Sequence, residues 1–220
     1  TLRRRGRDHH GGRRRGFRED QAARVHRGLV RGCYWGAETR HGVIDIDIDS
    51  RYHNAQELTK LVYKFASVGL ILTPYQSSNS GGWHLYYSLD GWAPSSEIEQ
   101  TIKEWLKALG YVLQSGTLEV FPSRNALRLP LQQGFAWLAP DGQIATRRED
   151  LKQDEALALF LSNLKSTARN WQNAKTLITA EIERTRTAAG TLAQDELDQL
   201  SDQGFEGLFR GGLDWEKYQR

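Results

Sequence analysis

The chain has 220 residues, 39% of them hydrophobic, with seven tryptophans, which is enough apolar material for one large domain or a domain with an appendage. Its one cysteine, Cys33, excludes an intramolecular disulfide and a cysteine-rich zinc site, and no stretch reaches the ~18 apolar residues of a membrane span or reads as a signal peptide. The net charge of +3 conceals an asymmetry: residues 1–40 carry twelve arginines, no lysine and four acidic residues, a balance of +8 that leaves −5 for residues 41–220.

An arginine field of this density on a mildly acidic body points to a partner rich in phosphate. Arginine to the exclusion of lysine favours bidentate phosphate contacts. A soluble, cytoplasmic protein with no membrane partner is expected. The chain opens on Thr1 and contains no methionine, so it is also expected to be part of a longer protein.

In chain order, residues 1–20 alternate arginine clusters with the pair Gly11-Gly12 and read as a loop or flexible arm. A short helix is expected over 21–30. Arg13, Arg14, Arg15, Arg24 and Arg27 are the candidate nucleic-acid contacts in this region. His9 and His10 have no second ligand cluster beside them and read as surface residues. Gly32-Cys33-Tyr34-Trp35-Gly36 is a turn leading to the stretch His41–Ser50, where aspartate alternates with isoleucine.

That period of two predicts a strand with unlike faces. Ile44, Ile46 and Ile48 are expected in the core and Asp45, Asp47 and Asp49 in a row on the other side. Carboxylates two positions apart on a strand are roughly 6–7 Å from each other. Their repulsion, together with the poor strand propensity of aspartate, makes such a row costly without positive charge. One or two divalent cations are the simplest source of it, since hard metals prefer carboxylate oxygens.

Asn54 and Glu57 form a capping-box pattern before the helical stripe Leu58, Leu61, Val62, Phe65 and Val68, which Gly69 closes. Leu70–Gln76 is a second strand and Ser77–Gly82 a turn. Trp83–Leu89 is a third strand with His84 and Tyr86 on one face. Ser96 and Glu99 suggest a second capping box, before the stripe Ile98, Ile102, Trp105 and Leu109. A fourth strand falls around Leu118, Glu119 and Val120, and a short one at Gly134–Leu138. Two helices are expected over 149–186, a polar linker over 185–194 and a short helix with a glycine-rich tail at the end.

Strand, helix, strand, strand, helix, strand is the order of the split βαβ unit. The expected fold is therefore α+β: an RRM-like or ferredoxin-like βαββαβ palm over 41–145, with an N-terminal arm at 1–40 and a helical region at 146–220. In that topology the helices cover one face of the sheet. Asp45, Asp47, His84 and Glu119 converge on the other, open face. Two strand aspartates and a third carboxylate are what two-metal phosphoryl transfer requires. Small residues from Ser77 to Gly82, including Ser78, Ser80, Gly81 and Gly82, suit a loop that wraps phosphates. His84 can donate to a phosphate oxygen, and Arg124 and Arg128 can clamp a triphosphate. The plainer alternatives are a connecting turn, a structural histidine and structural salt bridges.

Three motifs in this order resemble the archaeo-eukaryotic primase superfamily, the primase-polymerases. They are a hydrophobic strand with Asp45-Ile-Asp47, a small-residue turn running to a strand histidine (Ser80-Gly-Gly-Trp-His84), and Leu118-Glu119 followed by Arg124 and Arg128. The resemblance covers roughly residues 40–135 and is closest in flavour to plasmid-, phage- or CRISPR-associated members. It implies that Asp45, Asp47 and Glu119 bind two Mg²⁺ or Mn²⁺ ions, and that Ser80, His84, Arg124 and Arg128 hold the triphosphate.

The implied reaction is template-dependent nucleotidyl transfer. A primer 3′-hydroxyl, or that of a first nucleotide, attacks the α-phosphate of an incoming nucleotide and pyrophosphate leaves. The partners would be a single-stranded DNA or RNA template, a primer and a ribo- or deoxyribonucleoside triphosphate, with a helicase or CRISPR adaptation proteins in the longer context. Asp49 leaves two registers open, Asp45/Asp47 and Asp47/Asp49; the first is preferred because Asp49 abuts Ser50 and Arg51, where the strand should end. A zinc element found in many relatives has no counterpart here. The rival functions are another two-metal palm enzyme such as a nucleotidyl cyclase, and an RRM-like single-strand binder without turnover. A rolling-circle endonuclease fits poorly, because His84 stands alone on its strand.

Overall fold

The computed structural model describes residues 31–188. The arm with Arg13, Arg14, Arg15, Arg24 and Arg27, the helix expected over 21–30, most of the expected linker and the final helix lie outside the described residues. The chain divides after Val30 into two units, and the second holds every element that follows.

The strands are β1 (Gly32–Cys33), β2 (Glu38–Ile46), β3 (Thr73–Gln76), β4 (Trp83–Pro94), β5 (Leu118–Phe121), β6 (Leu127–Arg128), β7 (Ala136–Leu138) and β8 (Ile144–Arg147). The helices are α1 (Ala55–Ser67), α2 (Ser95–Ala108), α3 (Gln153–Ser166) and α4, whose described part is 171–188. Six strands form one sheet in the order β5-β2-β4-β3-β7-β8, antiparallel at every junction, while β1 and β6 pair separately. The fold is thus α+β with an antiparallel sheet. Among the described residues no helix is long and apolar enough to cross a membrane.

Local chemistry explains the helix ends. Asn54 caps α1 by accepting the Glu57 amide at 3.0 Å, which is half of the expected capping box. The Glu57 carboxylate does not reach back; it accepts from the Tyr111 hydroxyl at 3.1 Å. At α2 the second expected box does not form. The helix starts one residue before Ser96 and has Pro94 at its N-cap with no side-chain capping bond. The cause is strand pairing: Glu38 opposes Pro94, and the Ser95 amide donates to Ala37 O at 2.9 Å, so β4 holds the chain until the helix begins.

Two cores sandwich the sheet. On one side Ile44, Ile46, Leu85, Tyr87, Leu118 and Val120 meet Leu58, Leu61 and Phe65 of α1, Ile98, Ile102 and Trp105 of α2, and Trp171, Ala174 and Ile178 of α4. Each large side chain so buried contributes about 2–3 kcal/mol. The face expected to be open is covered in part. Val43, Tyr75, Tyr86 and Phe121 pack there with Phe135, Trp137 and with Ala156 and Phe160 of α3. The reason lies in those strand residues themselves, four apolar side chains that would otherwise face water.

Two strand boundaries also differ from expectation. Pairing of β3 starts at Thr73 rather than Leu70, because the Leu70 amide still bonds Phe65 O at the end of α1. More consequentially, β2 ends at Ile46. Its partners begin opposite that residue, β4 at Trp83 and β5 at Leu118, so the chain beyond has nothing to pair with. Asp47 O accepts the Ser50 amide in a turn, and Ile48, expected in the core, is 44% exposed.

Candidate active site

One rung of the sheet brings together three of the residues expected at the site. Asp45 on β2 lies opposite His84 on β4 and opposite Glu119 on β5, and Tyr75 on β3 is the next partner of His84. The rung therefore reads Glu119–Asp45–His84–Tyr75. The alternation along β2 sends Asp45 away from the core containing Ile44 and Ile46. The same parity brings His84 and Glu119 to its side. His84 Nε2 is 3.5 Å from Asp45 Oδ1, with the histidine buried and the aspartate side chain 23% exposed.

Asp47 stands one step past the strand, beside the serine- and glycine-rich turn. A Cβ at Gly82 would lie 3.2 Å from Ile46 O and 3.7 Å from Asp47 Cα, so the absence of a side chain lets the turn approach this backbone. Within the turn the Ser77 amide bonds Gly82 O at 2.8 Å, and the Ser78 and Ser80 hydroxyls are 2.7 Å apart. The Ser80 and Gly81 amides are used internally, donating to Ser78 Oγ and Ser78 O. The donors left for a ligand at these positions are therefore hydroxyls rather than those two amides.

His53, which sequence reasoning passed over, fastens the turn from below. Its Nε2 is 3.0 Å from Gly81 O and its ring lies 3.8 Å from that of Trp83. Gly134 holds the other side. It has φ +81°, its carbonyl accepts from Gln76 Nε2 at 2.8 Å, and a Cβ there would run into the Asn79 amide. Gly134→Ala is expected to destabilise the fold by about 2–3 kcal/mol, combining left-handed strain with a backbone clash. A urea melt measures this; an unchanged midpoint would mean that the turn yields freely.

Burial and like charge set the electrostatics. The Asp45 carboxyl is pushed up from 3.8 to about 7, first by desolvation and then by the negative charges of Asp47 and Glu119. The His84 imidazole is driven down from 6.5 to about 4, by burial and then by the Arg128 cation. At neutral pH the close His84–Asp45 contact is therefore between an uncharged ring and a carboxyl near its midpoint, not an ion pair.

Arg128 owes its place to β6, where it opposes Gly32 of β1. Its Nε is buried with no hydrogen-bond partner among the described residues, a donor that a ligand or water would have to satisfy. Arg124 lies elsewhere: it is exposed and lines a cleft with Tyr34, Trp35, Ser95 and Ser96. Glu119 accepts from the Ser115 hydroxyl at 2.9 Å and more weakly from the Gly116 amide at 3.4 Å, so its carboxylate is turned towards the 114–117 turn. Asp49 is exposed in the turn after β2. Among the described residues no three His, Cys, Asp or Glu side chains form a ready-made metal cluster. The donor set nevertheless fits a hard cation. Asp45 and Asp47 present carboxylates there, and the Asp45 pKa is raised first by burial and then by the charges of Asp47 and Glu119, the part that a cation would offset.

No protein-family model matches the chain, and no curated protein matches it either. Among solved structures it is similar to the polymerase domain of ligase D from Mycobacterium tuberculosis in complex with DNA, at 16% identity and a TM-score of 0.31. The match covers 61% of this chain and 58% of that one, so the chain spans less than two thirds of the structure it resembles.

Proposed function

We propose that the chain is a template-dependent nucleotidyltransferase of the primase-polymerase type, with β2-α1-β3-β4-α2-β5 as its RRM-like palm. The observation that carries this reading is the rung Glu119–Asp45–His84, with the Asp45 carboxyl raised to about 7 by burial and then by the neighbouring acids, and the serine turn packed against Asp47. Asp45 and Asp47 would hold divalent metal, Mg²⁺ or Mn²⁺, and Glu119 would join them on releasing Ser115. When bound, two such ions supply activation of the attacking hydroxyl and charge stabilisation for the departing pyrophosphate.

The chain's own groups do the rest. Arg128 presents its guanidinium N–H, unpaired among the described residues, to the triphosphate, and the Ser78–Ser80 hydroxyl pair, one member of which donates to the other, offers its remaining O–H. Neutral His84 can donate an N–H to a phosphate oxygen without bringing a second cation into a buried site. The bond from the 3′-oxygen to the α-phosphorus forms as the bond from the α-phosphorus to the bridging oxygen breaks, pyrophosphate leaves with that oxygen, and the 3′-hydroxyl proton passes to solvent water.

Metal affinity should depend on pH. Binding requires Asp45 to be ionised, so apparent affinity for Mn²⁺ is expected to rise about tenfold per unit below pH 7 and level off above it. Calorimetry in buffers of different ionisation heat would detect about half a proton released per site at pH 7. A pH-independent affinity would show that the cation does not replace that proton.

A second reading, an RRM-like single-strand binder without turnover, is favoured by one observation: Glu119 is already engaged by Ser115 and Gly116. Incubation with a primed and an unprimed single-stranded template, labelled nucleotides and each metal separates the two. Incorporation supports the polymerase; strand binding with no product supports the binder.

A further inference from the structure

We propose that the cleft at the start of α2 binds a single-stranded nucleic-acid strand, taking a backbone phosphate on the helix N-terminus, Ser95 and Arg124, and stacking the adjoining base on Tyr34. The choice of a strand as ligand rests on the function proposed above; the anion site itself does not. The cleft holds about 460 Å³.

Several independent features converge there. Helix α2, 14 residues long, begins without a side-chain cap because Pro94 has no acceptor to offer. The Ser95 amide is taken by Ala37 O, which leaves the Ser96 and Glu97 amides without a capping partner at the positive end of the helix dipole. Ser95 is 8% exposed and its hydroxyl has no hydrogen-bond partner among the described residues, and the Trp35 indole N–H in the same wall is also buried without one among them. An unpaired buried donor costs free energy unless a ligand or water meets it.

Arg124 is exposed and makes no ion pair among the described residues. Tyr34 is 77% exposed, a flat aromatic surface free of packing over most of its area among the described residues. The acids nearby are already balanced: Glu99 is paired with Lys103, and Glu97 with Lys175 and the Trp171 N–H.

A strand fits better than a lone nucleotide because the cleft continues. Ser123 is shared with a second cleft of about 220 Å³ along the edge of β5, lined by Lys103, Lys107, Ser115 and Glu119. Lys107 is exposed and has no ion-pair partner among the described residues. A chain of phosphates laid from Arg124 past Ser123 to Lys107 runs along the edge of β5 beside Glu119, the outer member of the rung, while Lys103 stays paired with Glu99.

The test uses the full chain in EDTA, with a labelled oligothymidylate of about 20 nucleotides read by anisotropy across a salt series. Arg124→Gln is expected to weaken binding about tenfold and to reduce the salt slope by about 0.7. Tyr34→Ala should lose about tenfold and Tyr34→Phe less than about twofold, since stacking needs the ring and not the hydroxyl. Binding by Arg124→Gln and Tyr34→Ala within about twofold of wild type overturns the proposal. So does an equal loss in an Arg147→Gln control, which would reduce the effect to net charge. Competition by thymidine monophosphate as effective, nucleotide for nucleotide, as the oligomer overturns the choice of a strand.

Metal is absent from the assay, so its result is separate from catalysis. Weakened binding by the variants of a wild type that never incorporates nucleotides would leave the site standing and remove the polymerase reading. Incorporation by wild type with unchanged binding in the variants would do the reverse.

Discussion

Changing Asp45 and Asp47 together to alanine is expected to lower metal-dependent nucleotide incorporation by about 10³-fold or more, with cooperative unfolding retained. The effect should be this large because the two acids are the inner donors of the proposed cation site, and among the described residues neither has a stabilising partner whose loss would disturb the fold. Asp45 is half-buried on the central rung, where its close polar contact is with an uncharged histidine. Asp49→Ala is the matched control. That residue is exposed in the turn after β2, and its loss should change incorporation by less than about threefold. Full incorporation by the double variant would end the polymerase reading, whatever the oligonucleotide-binding experiments showed.

The same rung predicts an unusual dependence of stability on pH. The folded-state pKa of Asp45, about 7, lies above its ordinary 3.8, so between those values the folded chain holds a proton that the unfolded chain has lost. Stability contributed by this group is present below about pH 4 and is lost as pH rises to 7, with a ceiling of about 4 kcal/mol before the remaining solvent contact reduces it. His84 works in the opposite sense. Its pKa, held near 4 against 6.5, makes the unfolded chain the better proton binder in that window, so its contribution rises with pH.

In the wild type the two slopes largely offset each other up to about pH 6.5. Asp45→Asn removes one of them. That variant should gain stability steadily from pH 4 to 6.5 and exceed the wild type by about 2–3 kcal/mol at pH 8, while losing activity. His84→Gln should show the reverse slope. Urea melts at several pH values read both. An Asp45→Asn variant less stable than wild type at pH 8 would mean that the carboxylate is satisfied in a way the geometry does not reveal.

Much of this was legible from local pattern. The alternation Val43-Ile44-Asp45-Ile46 sets which side chains face which way along β2. The stripes Leu58–Leu61–Phe65 and Ile98–Ile102–Trp105 define the buried faces of α1 and α2, and both are observed in the core. Such periods depend only on backbone geometry and hydrophobicity, which a short window contains. Ile48 was misplaced for the same reason, because a period carries no information about where pairing stops. The strand ends at Ile46 only because β4 and β5 begin opposite it, and those limits lie about 40 to 70 residues away in sequence.

The capping pattern at Ser96 and Glu99 failed in a similar way. Its chemistry was right for a helix start, but the pairing of Glu38 with Pro94 fixed the start elsewhere and left the helix end uncapped. Arg124 and Arg128 are indistinguishable by spacing from Glu119. Only the short ladder between β1 and β6 turns Arg128 to His84, while Arg124 faces Tyr34 and Ser95.

By itself, then, the chain's order of residues determined the buried faces of α1 and α2, the two-faced strand with its costly acids, and the concentration of arginine at one end. It did not determine the short strands β1, β6 and β8, which exist only by pairing, β1 with β6 and β8 with β7. The tertiary structure alone decided that Asp45, His84 and Glu119 share a rung, that α3 closes part of the face beside them, and that His53 and Gly134 anchor the serine turn. Local propensity acts over a few residues, whereas the field felt by a buried carboxyl is the sum over whatever distant strands and loops fold around it.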